Sequence, residues 1–258
     1  METTVATVAD DGQEKATGGE KEWFPLESNP ELLNFFSRRL GFDSSAQEFV
    51  DVFSTESWAL EMIGQPASAV MVLFPTQGDK VKQRRREMHD EAKANSDTSP
   101  NLWYAKQRIR NACGTIAVLH ALANCPKQIR DSIQQSSWLS SFLHKCPASL
   151  PPEEKAEILE SDTELERMHD HATGALCNAT SRGALGEKVD MHFVTFVCVD
   201  GKLYELDGRV DEGPICHGET TQDHLLRDTC DVVKRYMEAD PSEMRFTLVA
   251  LAPKSTDT

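Results

Sequence analysis

The stretch QRIRNACGTIAVLHALAN, residues 107–124, changes character at its cysteine. Up to Ala112 it is charged and irregular. From Gly114 to Asn124 apolar groups fall on most sides, as in a helix buried at the centre of a domain. A cysteine opening such a helix meets unpaired backbone amides and the positive end of the dipole, both of which favour thiolate over thiol. Cys113 is therefore a candidate nucleophile, and Gly114 after it leaves room for a substrate backbone. The competing reading is the small buried core residue that most free cysteines are. Gln107, six residues earlier, is placed to bring its side-chain amide beside the thiol. With the Cys113 backbone N–H it would donate to the oxyanion of an acyl-transfer intermediate. Alone, it would read as an exposed loop glutamine.

The second decisive stretch is VDMHFVTFVCVDGKLYELDGR, residues 189–209. Val189 to Val199 and Lys202 to Leu206 read as two strands joined across Asp200-Gly201, a strong signal for a tight hairpin. His192 lies on the first strand and Asp207 ends the second. The pairing brings the carboxylate to the imidazole, where it would fix ring orientation and tautomer while the other ring nitrogen takes the thiol proton. Separately, His192 would be a satisfied core histidine and Asp207 a turn or cap residue before Gly208.

Working outward, residues 1–21 have no hydrophobic periodicity and read as a flexible acidic tail, with the fold beginning near Trp23. Asn29-Pro30-Glu31 is a helix start, Leu33, Phe36 and Leu40 form its inner face, and Gly41 ends it. Glu48 to Phe53 and Ala69 to Phe74 read as strands. Lys80 to Asn95, Trp138 to Lys145, Glu153 to Glu160 and Thr221 to Met237 read as helices, and Arg245 to Leu251 as a closing strand. The basic run Lys80 to Arg86, followed by Glu87, Asp90 and Glu91, reads as a solvated helix face. Ser161 to Lys188 breaks the periodicity with Gly174, Gly183 and Gly186, and reads as one long loop of the kind that is often a functional lid.

Composition limits the remaining choices. At 258 residues, with 39% hydrophobic and 27% charged residues, the chain suits a single domain. No apolar run approaches the roughly 18 to 20 residues that cross a bilayer. The acidic N-terminus has neither the apolar segment of a secretory signal nor the arginine of a transit peptide, which predicts a cytoplasmic protein, with the nucleus also open to it. Seven scattered cysteines without a CxxC pair read as free thiols. A net charge of −15 argues against nucleic acid and for a basic partner.

With these residues in view, the run around Gln107 and Cys113 and the run around His192 and Asp207 closely resemble the ubiquitin C-terminal hydrolase family. The resemblance extends to WFPLESNPELLNFF (23–36), FVDVF (49–53), HGET (217–220) and DPSEMRF (240–246). It points above all to the short single-domain isozymes of the L-three type. It implies an α/β (α+β) papain-like cysteine protease fold, with a central antiparallel sheet between helices, a knotted backbone and a crossover loop over the active site. One catalytic domain would span residues 22–253, with 161–188 as crossover loop and 254–258 as tail. The implied reaction is hydrolysis of esters, thioesters and amides at the C-terminal glycine of ubiquitin, or of the NEDD8 modifier, by a monomer that needs no cofactor. By motif position Cys113 would be the nucleophile, His192 the general base and acid, Asp207 its orienter and Gln107 the oxyanion donor. Ubiquitin contacts would fall at Pro25, Leu26, Glu27, Asn29 and Pro30, at about Ala175 through Arg182, and at Arg245 and Phe246.

Three other readings compete. His169, His171 and Cys177 could be zinc ligands, but their number and spacing fall short of a four-ligand site. Transglutaminases and arylamine acetyltransferases also use Cys-His-Asp, although their motif text differs. A ubiquitin-binding module without turnover is the reading from outside enzymology.

Overall fold

The computed structural model describes residues 21–93, 98–174 and 189–254. In chain order the elements are α1 (Pro30–Leu40), β1 (Gln47–Val52), α2 (Ser57–Leu60), β2 (Ala69–Pro75), α3 (Asp79–Lys93), α4 (Cys113–Asn124), α5 (Lys127–Arg130), α6 (Trp138–Lys145), α7 (Pro152–Ser161), α8 (Thr163–Thr173), β3 (Met191–Val199), β4 (Lys202–Leu206), β5 (Ile215–Glu219), α9 (Leu225–Ala239) and β6 (Thr247–Pro253). The strands form one antiparallel sheet in the order β1-β6-β2-β3-β4-β5.

The sheet separates two cores, and strand alternation sorts side chains between them. Ala69, Met71, Phe193, Val197, Val249 and Leu251 face the core that holds α1, α4 and α8. Val70, Val72, Phe74, Val194, Phe196, Leu248 and Ala250 face the core that holds α3 and α9. Burial on both faces explains why β2 and β3 read as unbroken apolar runs. The hairpin turn is as its sequence predicts, with positive φ at Asp200 (50°) and Gly201 (75°).

The Asn29 side chain caps α1, its Oδ1 accepting from the backbone of Glu31 (2.9 Å) and Leu32 (3.3 Å), and Gly41 ends the helix at φ 106°. Several sequence expectations need correction. Residues 163–173 of the expected long loop are helix α8. Asp162 caps it, accepting from Glu164 (3.0 Å) and Leu165 (2.8 Å), and Leu165, Met168 and Ala172 form a buried stripe. The remainder of the expected crossover loop, 175–188, lies outside the described residues. So do most of the N-terminal tail, residues 255–258, Cys177 and the contact expected at Ala175 through Arg182. His217–Glu219 of HGET lie in strand β5, α9 is preceded by a short 3₁₀ turn over Gln222–His224, and the last strand begins at Thr247 rather than Arg245. Arg85 leaves the solvated face of α3 and turns into the protein, its side chain 13% exposed.

Candidate active site

Cys113 is the first residue of α4, every residue of which is buried. Asn111 turns the chain into the helix at φ 61°, a conformation asparagine tolerates better than most residues, and its amide donates to Glu22 Oε1 at 3.0 Å. Ala112 occupies the cap position without a capping side chain, so the first-turn amides around Cys113 are not taken by one. The segment just before α1 straps this entrance. Trp23 N–H donates to Arg110 O (3.0 Å) and Arg110 N–H to Lys21 O (2.8 Å). Gly114 serves packing rather than substrate access, because a Cβ there would lie 2.8 Å from Leu26 Cβ and 3.5 Å from the Phe193 ring.

His192 and Asp207 meet through the hairpin. Since Thr195 pairs with Leu206, Asp207 falls opposite Val194, diagonal to His192 on the same face. His192 Nε2 and Asp207 Oδ1 are 2.6 Å apart, both side chains 4% exposed. The other ring nitrogen, Nδ1, is buried without a well-formed hydrogen bond, while the imidazole is near enough to Cys113 for each to perturb the other.

Burial alone would raise the Cys113 thiol pKa, but His192, then Arg209, outweigh it and bring it below the usual thiol value. Burial would lower the pKa of His192, yet Asp207 and Cys113 raise it. Burial would raise Asp207, and His192 with Arg85 hold it well below the ordinary carboxylate range. Low thiol and high imidazole pKa values together favour a thiolate–imidazolium pair.

Gln107 makes other contacts than the one expected beside the thiol. Its Nε2 donates to Ile109 O at 2.9 Å, and its backbone N–H to Gly208 O at 2.9 Å. The glycine is needed here, since a Cβ at Gly208 would lie 3.0 Å from Gln107 N. Tyr104 OH donates to the Asp207 carbonyl at 2.9 Å, so residues 104–107 lie across the segment that carries Asp207. An open cleft beside Gln107 is lined by Arg108, Arg110, Asn111 and Arg209. The net charge of −15 therefore does not describe this end of the molecule.

A buried network behind the triad escaped sequence reading. Glu205 accepts from Arg85, from Tyr236 OH (2.7 Å) and from His217 Nε2 (2.9 Å), with His89 Nε2 at 3.4 Å. Arg85 also donates to Asp207 Oδ2 at 3.2 Å. The signal was present in Glu205-Leu206-Asp207, whose two-residue spacing puts both carboxylates on one strand face. Among the described residues, His89, Glu205 and His217 also bring three possible metal-ligand atoms within 4.8 Å of one another. Both Nε2 atoms face a carboxylate already bound by Arg85 and Tyr236, which is the arrangement of donors around an anion rather than lone pairs around a cation.

The zinc reading of His169 does not hold. Its Nε2 contacts Phe24 O (2.8 Å) and its Nδ1 contacts Thr115 Oγ1 (2.8 Å), and the ring stacks on Trp23 at 4.4 Å. A carbonyl can only accept, so Nε2 carries the proton and Nδ1 accepts from the threonine. His171 packs near Phe35 instead. Of the expected ubiquitin contacts, Leu26 is buried against Gly114 and Asn29 caps α1. Pro25, Glu27 and Pro30 are half-buried, Phe246 packs on the α3/α9 core, and exposed Arg245 pairs with Glu243 at 2.7 Å.

Residues 23–238 match the protein family described as ubiquitin carboxyl-terminal hydrolase, family 1. The chain belongs to this family. Ubiquitin carboxyl-terminal hydrolase 3 of Arabidopsis thaliana is 37% identical over 91% of this hydrolase and 96% of its own length. Human ubiquitin carboxyl-terminal hydrolase isozyme L1 is 36% identical over 88% and 96%. The Trichinella spiralis UCH37 catalytic domain, solved bound to ubiquitin vinyl methyl ester, is similar with a TM-score of 0.67 at 22% identity, covering 91% of this hydrolase and 97% of that chain. The fold of the hydrolase is the α/β, papain-like one that its sequence predicts. No helix among its described residues is long and apolar enough to cross a membrane.

Proposed function

We propose that this hydrolase cleaves esters, thioesters and amides at the C-terminal glycine of ubiquitin, through a thiol ester on Cys113. The observation that carries the reading is the 2.6 Å His192–Asp207 pair beside a cysteine at the uncapped start of α4. His192 Nδ1 takes the thiol proton and later returns it to the leaving group, while Asp207 holds Nε2–H and the ring orientation. The Cys113 sulfur attacks the glycine carbonyl. The Cys113 N–H and the Gln107 amide donate to the oxyanion, since Ile109 O occupies only one of the two amide hydrogens. Water then attacks the thiol ester and releases the acyl group, freeing Cys113.

NEDD8 is the second modifier within the same proposal, and the protein acts as a monomer. A cytoplasmic or nuclear setting is part of the reading, supported by six unpaired cysteines among the described residues. The test is reaction of the purified protein with ubiquitin bearing a C-terminal thiol-reactive warhead, beside Cys113→Ala and a NEDD8 probe. An adduct that requires Cys113 supports the nucleophile and the substrate together, and the two probe rates rank the modifiers. A folded protein that binds ubiquitin but forms no adduct would replace this reading with that of a binding module.

A further inference from the structure

We infer that Arg85 and Glu205 form a charge-balanced clamp that positions Asp207 for His192, making Arg85 a positioning residue of the reaction proposed above, on which this inference rests. Asp207 offers two oxygens. Oδ1 accepts from His192 Nε2 (2.6 Å) and from Arg209 N–H (3.0 Å), while Oδ2 accepts from Arg85 Nη2 (3.2 Å). A carboxylate anchored at one oxygen can rotate about its last bond, and anchoring the second oxygen fixes the plane in which Oδ1 meets the imidazole.

Arg85 is itself held in place. Its guanidinium lies 4.4 Å from the Phe74 ring centre and 5.9 Å from that of Tyr236, and it bonds Glu205. Phe74 pairs with His192 in the β2–β3 register and meets the imidazole edge-on at 5.9 Å, so one aromatic ring touches both the clamp and the base. Glu205 is fully buried and tied down by Tyr236 and His217, with His89 at its margin.

The charges explain why two carboxylates are present. An arginine beside Asp207 alone would fix its orientation but oppose a positive charge on His192. Glu205 offsets that opposition, leaving the full effect of Asp207 for the imidazolium. His192 is faced by Asp207, just after β4, and by Cys113 from α4. Behind Asp207 stand Arg85 from α3 and Glu205 from β4, and Glu205 is met in turn by His89 from α3, His217 from β5 and Tyr236 from α9.

Arg85→Gln and Glu205→Gln change this balance in opposite directions, and a purely structural role would not give opposite signs. The measurements are the pH dependence of kcat and KM with a ubiquitin C-terminal ester, and the NMR titration of His192. Removing the Arg85 charge should move the alkaline limb upward in pH, and removing the Glu205 charge should move it downward, each by roughly half a unit or more. Both variants should lower kcat by about tenfold with little change in KM. Arg85→Lys, which keeps the charge and a donor but loses the planar fork, should keep the limb near its wild-type position with reduced kcat. It also provides the reading if Arg85→Gln does not fold. Limbs that move in the same direction, or stay put in folded variants, overturn the clamp. The warhead assay on the same samples separates the two claims, because wild-type protein without a Cys113 adduct would instead defeat the catalytic reading.

Discussion

His192 and Asp207, fifteen residues apart in sequence, meet at 2.6 Å between Nε2 and Oδ1 because the two-residue turn at Asp200-Gly201 sets the register of β3 against β4. Asp207→Asn keeps the shape of the side chain and removes its charge. Its loss lets the His192 pKa fall and weakens the imidazolium that holds the Cys113 thiolate. The thiolate–imidazolium window should therefore narrow from the alkaline side, and kcat/KM should drop by about 100-fold. A pH–rate profile on the folded variant decides this, and an unmoved alkaline limb would remove Asp207 from the proton balance.

Gly114 and Leu26 are packed as closely as a glycine permits. Gly114→Ala would put a Cβ 2.8 Å from Leu26 Cβ, inside any ordinary carbon contact. Neither side can yield easily, since Leu26 is buried in the core under α1 and α4. Overpacking of this kind costs about 1 to 3 kcal/mol, and here the strain falls one residue from the nucleophile. The urea midpoint should fall and the ubiquitin warhead should react more slowly. A variant with wild-type stability and reactivity would mean that the strap over α4 is looser than its contacts indicate.

Most of this arrangement was legible in the sequence, for identifiable reasons. The hairpin was readable because Asp-Gly dictates a turn, and a turn dictates register, which together place His192 beside Asp207. The start of α4 was readable because the apolar run begins at Cys113. Helix α8 was missed although Asp162, Leu165, Met168 and Ala172 carry a proper cap and stripe. The glycines and small polar residues that follow dominated the reading of the whole segment. Arg85 was misread because three neighbouring bases do face solvent, and only tertiary packing shows which member of a charge run turns inward. Gly114 was given a substrate role because the sequence does not say that Leu26 would arrive above it.

His169 sets a limit on stability in acid. Burial, partly countered by its bond to Phe24 O, depresses its pKa from 6.5 to about 4. A group whose folded pKa is depressed contributes stability that is complete above the unfolded value and lost as pH falls toward the folded one. The loss should therefore develop between about pH 6.5 and 4 and reach roughly 3 kcal/mol from this side chain. His120, also depressed to about 4 by burial, adds to the same slope. His169→Gln keeps a donor and an acceptor without titrating, so its unfolding free energy should fall less steeply across this window. Parallel curves for variant and wild type would show that His169 is not held neutral.

Gly208 tests the placement of Gln107 without touching any group that reacts. In Gly208→Ala the new Cβ would lie 3.0 Å from Gln107 N, 3.1 Å from Gln107 Cβ and 3.2 Å from Ile116 Cγ2. Ile116 belongs to the buried helix α4, so the 107 segment is the side that must move. It would carry the amide away from the oxyanion position, and kcat should fall with little change in KM. Gln107→Ala removes the donor outright and should cost about 100-fold in kcat. The double variant should be little worse than Gln107→Ala alone, because a displaced amide and a missing one remove the same interaction. Losses that multiply would mean that Gly208 acts through Asp207, its neighbour in sequence, and not through Gln107.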